Sequence, residues 1–313
     1  MSRSVTPLRP RRIRTAALAL TAAGALTLTA CGGGGDPLSS DSGEGGDGSG
    51  DIVVGSADFS ESILLAHIYA GALDAEGVDA TTKTGIGSRE VYLKALEEGS
   101  VDVLPEYTGG LALYNDEDFA ETDPEKTYEG LKEVLPEGMV VLEKSAAENK
   151  DSMVVTKETA EKDDLEAVED LKGGAADMTL GAPSEFKTRA QGIPGLEKTY
   201  GITFGDFRPL KPGQATNGAL KNGQIDVANI FSTDPAIPEN GFVVLEDSKN
   251  LFGSQNVVPL VRTDAEDTVA DALDGVSEKL TTEKLQEMLT RTDVDKEDPE
   301  KVAEDFLKEE GLA

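Results

Sequence analysis

From Asp51 onward the chain alternates short β-branched runs with stretches whose apolar residues recur every three or four positions. Ile52-Val53-Val54 reads as a strand. Glu61 to Ala75 follows with Ile63, Leu64, Ile68 and Leu73 roughly on one stripe, the period of a half-buried helix. A second strand is predicted near 80–84 and a second helix over 90–98. A third strand, Val101 to Leu104, runs into Pro105-Glu106-Tyr107-Thr108-Gly109. The pattern then restarts. Met139–Leu142 and Ser152–Thr156 read as strands, the latter opening a second lobe, and Met178–Gly181 and Asp226–Ile230 continue that lobe. Val257–Val261 reads as the strand that returns to the first lobe. The C-terminal segment is predicted to end in two helices, the last with Asp298 as N-cap, Pro299 at the first position and Gly311 just past its end. There is no internal repeat.

Strand–helix–strand alternation predicts α/β layers with mostly parallel pairing. A chain that leaves one lobe, builds another and returns makes two lobes with a cleft between them. The boundaries expected are 51–150 with 254–313 for lobe 1 and 151–253 for lobe 2. Loops at strand ends, backed by helix N-termini, then face the cleft, and small solutes bind in such places.

The N-terminus changes the picture from fold to address. Residues 1–14 hold five arginines and no acid, and an apolar, alanine- and leucine-rich stretch runs from about Thr15 to Leu28. That stretch falls short of the roughly 20 residues a spanning helix needs, so residues 1–30 read as an export signal. The ending Leu28-Thr29-Ala30-Cys31 resembles the lipobox of bacterial lipoproteins, in which the cysteine is diacylated and becomes the first mature residue. Cys31 is the only cysteine in the chain, so no intrachain disulfide is expected. Residues 32–50 contain nine glycines and no aromatic residue, the composition of a flexible tether. The expected location is the outer face of the cytoplasmic membrane, held by the lipid alone.

Charge excludes one class of partner. The net charge of −31 falls to −36 once the five signal arginines are gone, and phosphate contact needs clustered Lys and Arg, so nucleic acid is not an expected partner. Enzyme chemistry has little to stand on. His67 is the only histidine and lies inside a predicted helix, which leaves no His/Cys metal set and no Cys–His pair. Gly85-Ile86-Gly87-Ser88 lacks the spacing and lysine of a phosphate loop. No metal, cofactor or catalytic residue is expected.

Five segments carry a resemblance: IVVGSADFSES (52–62), GIGSREVYLKALEEGSVDVLPEYTGG (85–110), GAPSEFKTRAQGIPGLEKTYGI (181–202), LKNGQIDVANIFSTDP (220–235) and EDSKNLFGSQNVVPLVR (246–262). Together they resemble the glycine betaine/choline/carnitine class of ABC-transporter binding proteins, the OpuAC/ProX/OsmF-like family, and the likeness extends over nearly all of residues 51–313. It implies the two-lobed type II periplasmic-binding-protein fold. It also implies a quaternary ammonium solute, a permease and an ATPase as separate chains, and action as a monomer. Family members grip the methylated ammonium in a box of aromatic rings and hold the solute's carboxylate or hydroxyl with donors.

Carried onto this chain, the family's pattern nominates Tyr107 and Thr108 in the PEYTG loop, and Phe231, Thr233 and Asp234 after the IF strand end. It also nominates Phe59 with Ser56 in the first strand-to-helix loop, Ser88 and Arg89 at the start of the second helix, and Asn149 at the lobe crossing. Each of these also has a reading as packing or surface. The chain has no Trp and six Tyr. Tyr69 and Tyr92 fall in predicted helices, and Tyr114 and Tyr128 on or near an acidic segment expected to be exposed. Few tyrosines are therefore left for a box, and Phe231 and Phe59 are the rings expected to complete it. An ordinary amino acid is the alternative solute, with Arg89 on its carboxylate and Asp234 on its ammonium. A structural or adhesive lipoprotein is the alternative of another class.

Overall fold

The computed structural model describes residues 51–313. The expected export signal, Cys31 and the tether lie outside the described residues. The described residues form ten strands in chain order: β1 (Ile52–Gly55), β2 (Ala80–Lys83), β3 (Val103–Tyr107), β4 (Met139–Val141), β5 (Asp151–Val155), β6 (Thr179–Ala182), β7 (Asp206–Pro209), β8 (Val227–Phe231), β9 (Val243–Val244) and β10 (Val257–Arg262). Three helices of the first half position the site: α1 (Ser60–Ala75), α2 (Arg89–Glu97) and α3 (Thr108–Asn115).

The strands form two five-stranded sheets, ordered β2-β1-β3-β10-β4 and β7-β6-β8-β5-β9. Pairing is less parallel than the alternation predicts. In the first sheet β1 runs parallel to β2 and β3, while β10 is antiparallel to β3 and β4. In the second, β6 is parallel to β7 and β8, and β5 is antiparallel to β8 and β9. The antiparallel strands are the ones that carry the chain between sheets. β5 arrives from the first sheet and β10 returns from the second, and neither follows a helical crossover of its own sheet, which is what makes neighbours parallel.

The segments leading into β5 and β10 run side by side. Glu148 and Asn256 form an antiparallel bridge. The Asn149 N–H donates to the Gln255 carbonyl (3.0 Å) and the Val257 N–H to the Ala147 carbonyl (2.9 Å). Two strands of backbone thus join the lobes.

Each lobe has its own core. In lobe 1, α1 is buried almost all round, with Leu64, Leu65, Ile68 and Leu73 inaccessible, because the sheet covers one side and the helices Glu266–Lys279 and Pro299–Glu310 another. The C-terminal segment holds three helices, Thr282–Leu289 lying between those two. The last is capped as its sequence predicts: Asp298 accepts from the Glu300 N–H, and Gly311 takes φ +72°. In lobe 2, Met153, Val155, Leu180 and Val227 pack against Leu171, Leu196 and Phe186. Among the described residues no helix is long and apolar enough to cross a membrane.

Candidate functional site

A cavity lies between the two lobes, walled on one side by the ends of β1 and β3 and the start of α2, and on the other by β5, β8 and the 183–191 segment. Six of the nominated residues line it: Phe59, Ser88, Arg89, Tyr107, Asn149 and Phe231. Their positions follow from local structure. Phe59 and Tyr107 are the extended N-cap residues of α1 and α3, so each strand end delivers a ring to the helix start behind it. Phe231 ends β8 and pairs in register with Asp151, which places both side chains on the same face of the second sheet.

The three rings form one cluster. Phe59 lies 5.1 Å from Phe231 and 6.3 Å from Tyr107, centroid to centroid, at interplanar angles of 44° and 30°. Gly109 and Gly110 let this wall close. A Cβ on Gly109 would stand 2.4 Å from the Ser254 carbonyl oxygen, so α3 can approach the crossing segment only with a glycine there, and one on Gly110 would stand 2.9 Å from the Arg89 guanidinium.

The polar groups around the rings are largely committed to one another. Arg89 is buried and makes a two-toothed pair with the buried Glu106, Nε to Oε1 at 2.8 Å and Nη2 to Oε2 at 2.9 Å. Burial works against its charge, but the Glu106 carboxylate wins and holds the guanidinium well above its usual range. Glu106 also accepts from the Tyr92 hydroxyl (2.7 Å) and the Tyr107 N–H (2.9 Å).

A second carboxylate, Glu61 in the first turn of α1, accepts from three neutral donors. These are the Tyr107 hydroxyl (2.6 Å), the Asn149 side-chain amide (2.7 Å) and the Thr233 hydroxyl (2.5 Å). Burial pushes the Glu61 carboxyl above the ordinary glutamate range, against the lowering effect of those three bonds. The Tyr107 hydroxyl is pushed well up by burial and by Glu61 beside it, so the ring remains a neutral phenol on the cavity wall with its hydroxyl tied to Glu61.

Two further links cross between the lobes at the rim: Lys211 to Asp58 (2.8 Å) and Arg189 to Glu90 (3.3 Å). Ser88 donates to the same Glu90 (2.6 Å).

Four nominated residues stand elsewhere. Ser56 is inaccessible; its hydroxyl accepts from the Gly85 N–H and donates to the Ala57 carbonyl, bracing the loop under Phe59. Thr108 is inaccessible too, and its hydroxyl accepts from the Asn256 N–H, tying α3 to the returning segment. Thr233 is turned to Glu61. Asp234 lines a neighbouring groove, where it accepts from Asn217 and the Ala236 N–H, and burial raises its carboxyl. Arg89 and Asp234 therefore do not line the same cavity, and the amino-acid pattern that needs both is not assembled.

The tyrosine assignment is corrected in two places. Tyr92 belongs to a helix, as expected, but that helix starts at the cavity wall, and Tyr92 lines it. Tyr128 is buried at 5% exposure with its hydroxyl on the Leu142 carbonyl, whereas Tyr114 is exposed. Phe186, Asp151, Asn229 and Gln191 also line the cavity without having been nominated. Phe186 sits within the PSEF run, and Asp151 lies two residues after Asn149 in the same crossing, so both fell beside a recognised signal.

Residues 50–309 match the family model described as the substrate binding domain of ABC-type glycine betaine transport systems. The chain belongs to this family. It is 30% identical over 277 residues to a glycine-betaine-binding protein of Pseudomonas aeruginosa, covering 83% of this chain and 88% of that one. It is likewise 30% identical over 278 residues to the glycine betaine-binding protein YehZ of Escherichia coli, covering 83% and 90%. A solved structure of a glycine betaine/carnitine/choline ABC transporter protein superposes with a TM-score of 0.66 at 25% identity, covering 84% of this chain and 99% of that one. The fold is the two-lobed type II periplasmic-binding-protein fold, and the chain is a transporter substrate-binding protein.

Proposed function

We propose that this protein captures a small methylated ammonium solute outside the cytoplasm and delivers it to the permease of an ABC importer. The observation that carries the solute class is the cluster of Phe59, Tyr107 and Phe231 on the wall of the inter-lobe cavity. A quaternary ammonium cannot donate a hydrogen bond, so a π-face is its best partner, worth about 0.5–2 kcal/mol per ring. Tyr92 extends the aromatic lining beyond those three rings. Of the other nominated residues on the wall, Arg89 uses two of its five N–H groups on Glu106 and keeps the rest for the solute's other end, whereas the Ser88 hydroxyl hydrogen is already given to Glu90.

In this reading, lobe closure is a movement of residues 51–150 with 254–313 against 151–253, about the paired segments at 147–149 and 255–257. The lipobox resemblance at Cys31 supports anchoring by lipid to the outer face of the cytoplasmic membrane. The protein acts as a monomeric binding component without turnover, partnered by a permease and an ATPase on other chains.

Binding should raise the melting temperature by mass action. The test is thermal shift followed by titration calorimetry on the purified protein, against glycine betaine, choline, carnitine, ectoine and the common amino acids. Selective stabilisation by methylated ammonium compounds is expected. A response confined to primary amino acids would overturn the proposal.

A further inference from the structure

The charges on the cavity wall are unequal in a way that bears on the solute's own charge. Arg89 and Arg189 are the cations lining it, and both are paired, with Glu106 and with Glu90. The lining carboxylates are Asp58, Glu185 and Asp151. Asp58 has Lys211, and Glu185 has Arg189 at 3.9 Å. Among the described residues, Asp151 has only neutral amides as side-chain partners: Asn229 donates to Oδ1 at 2.9 Å and Gln191 to Oδ2 at 2.8 Å. Both amides are themselves buried, at 4% and 7% exposure, so Asp151 is held in place rather than left to swing. Each carboxylate oxygen keeps one lone-pair site free. Across the ladder from Asp151 stands Phe231, so this carboxylate borders the ring cluster.

A second observation points the same way. Asn149 is buried at 5% exposure, lines the same cavity, and its Oδ1 has no hydrogen-bond partner among the described residues. The amide cannot simply be turned over, because its nitrogen is held by the Glu61 carboxylate at 2.7 Å. A buried acceptor without a partner is a cost that a bound donor removes.

We infer that the solute is a net cation carrying a hydrogen-bond donor, with Asp151 as its counter-charge and Asn149 as acceptor for the donor. This rests on the methylated-ammonium reading above and narrows it. A zwitterionic betaine offers no donor and brings a carboxylate into a cavity whose two arginines are already paired and whose unpaired charge is negative. An ammonium alcohol of the same size, such as choline, meets neither objection. Asp151 is thus the residue that sets the preference between the two kinds of methylated ammonium solute.

The experiment is titration calorimetry of the wild-type protein and Asp151→Asn with choline, choline O-methyl ether and glycine betaine. The wild type should bind choline at least about tenfold more tightly than glycine betaine, with the methyl ether, which keeps the charge and loses the donor, in between. Asp151→Asn should shrink the choline preference by about tenfold, mainly by weakening choline. Glycine betaine binding as tightly as choline to the wild type would overturn the inference, and that comparison needs no variant to fold. An unchanged preference in Asp151→Asn would overturn the role of Asp151. A methyl ether that matched choline would overturn the donor. If no methylated ammonium compound bound at all, the underlying reading would fall and this inference with it; betaine-selective binding would sink this inference alone.

Discussion

Glu61 is the point where a single substitution tests the most. Its carboxylate receives Tyr107 from lobe 1, Asn149 from the crossing segment and Thr233 from lobe 2, all neutral donors and all buried. Glu61→Ala leaves three buried donors without an acceptor. At about 1–3 kcal/mol for each orphaned group, and allowing the two hydroxyls to turn to poorer partners, the loss should be at least about 3 kcal/mol. Glu61→Gln keeps the shape and one oxygen, which can serve Tyr107 and Asn149, while its amide can donate to the Thr233 hydroxyl. It also removes a charge from a buried site, so its cost should stay within about 1 kcal/mol.

The two variants also separate in pH. A carboxyl whose folded value is raised keeps a proton that the unfolded chain has already lost. Native protein then binds more protons than unfolded protein, and stability falls as pH rises from the ordinary glutamate value, about 4.3, to the raised one. Asp234 is raised as well and contributes with the same sign, whereas Glu90 and Glu148 are lowered and contribute with the opposite one. The difference between wild type and Glu61→Gln isolates the Glu61 part. The assay is urea unfolding followed by far-UV circular dichroism, since the chain has no tryptophan, at a series of pH values rising from the ordinary glutamate value. Wild type should lose stability relative to Glu61→Gln as pH rises above the ordinary glutamate value. A flat difference, or a Glu61→Ala protein as stable as wild type, would refute the reasoning.

Two further predictions follow from the same wall. Tyr107→Ala should weaken binding of the methylated ammonium solute at least about tenfold by calorimetry, while Tyr107→Phe, which keeps the ring face, should change affinity far less and cost about 1 kcal/mol of stability through the lost bond to Glu61. Equal losses in both variants would remove the ring from recognition. Arg89→Met should destabilise by about 3–5 kcal/mol in urea unfolding because it strands the inaccessible Glu106, and the double variant with Glu106→Gln should recover part of that. If the double variant were less stable than Arg89→Met alone, the stranded charge would not be the cause.

Much of the fold was legible because its signals are local. The strand starts at Ile52, Met139 and Val257, the helix of residues 61–75 and the caps at Asp298 and Gly311 depend on residues within a turn or two of one another. Strand direction is not local. The run Val257–Val261 is buried throughout, and a buried run reads the same in either orientation. Only the route of the chain, arriving from the other sheet, makes β5 and β10 antiparallel to their neighbours.

The site divides along the same line. The rings were nominated through the family resemblance, at loops where strand ends meet helix starts, and Phe59, Tyr107 and Phe231 do line one cavity. Helix membership was a poor reason to set Tyr92 aside, since the first turns of α2 form part of that wall. Glu61 looked like an ordinary first-turn acid, the residue type a helix N-terminus favours, and nothing near it in the chain reveals donors 46, 88 and 172 residues away. The same distance problem hid the internal partners of two nominated residues. Arg89 and Thr233 are polar residues at a cleft, which suggests ligand contacts, yet each is held by a carboxylate of the protein itself. Internal pairing of this kind fixes the rings and leaves fewer free charges to meet a solute. It shifts recognition onto the aromatic faces and onto Asp151, the lining carboxylate whose partners are all neutral. A cavity built this way selects by the sign of the solute's charge more than by its polar arm.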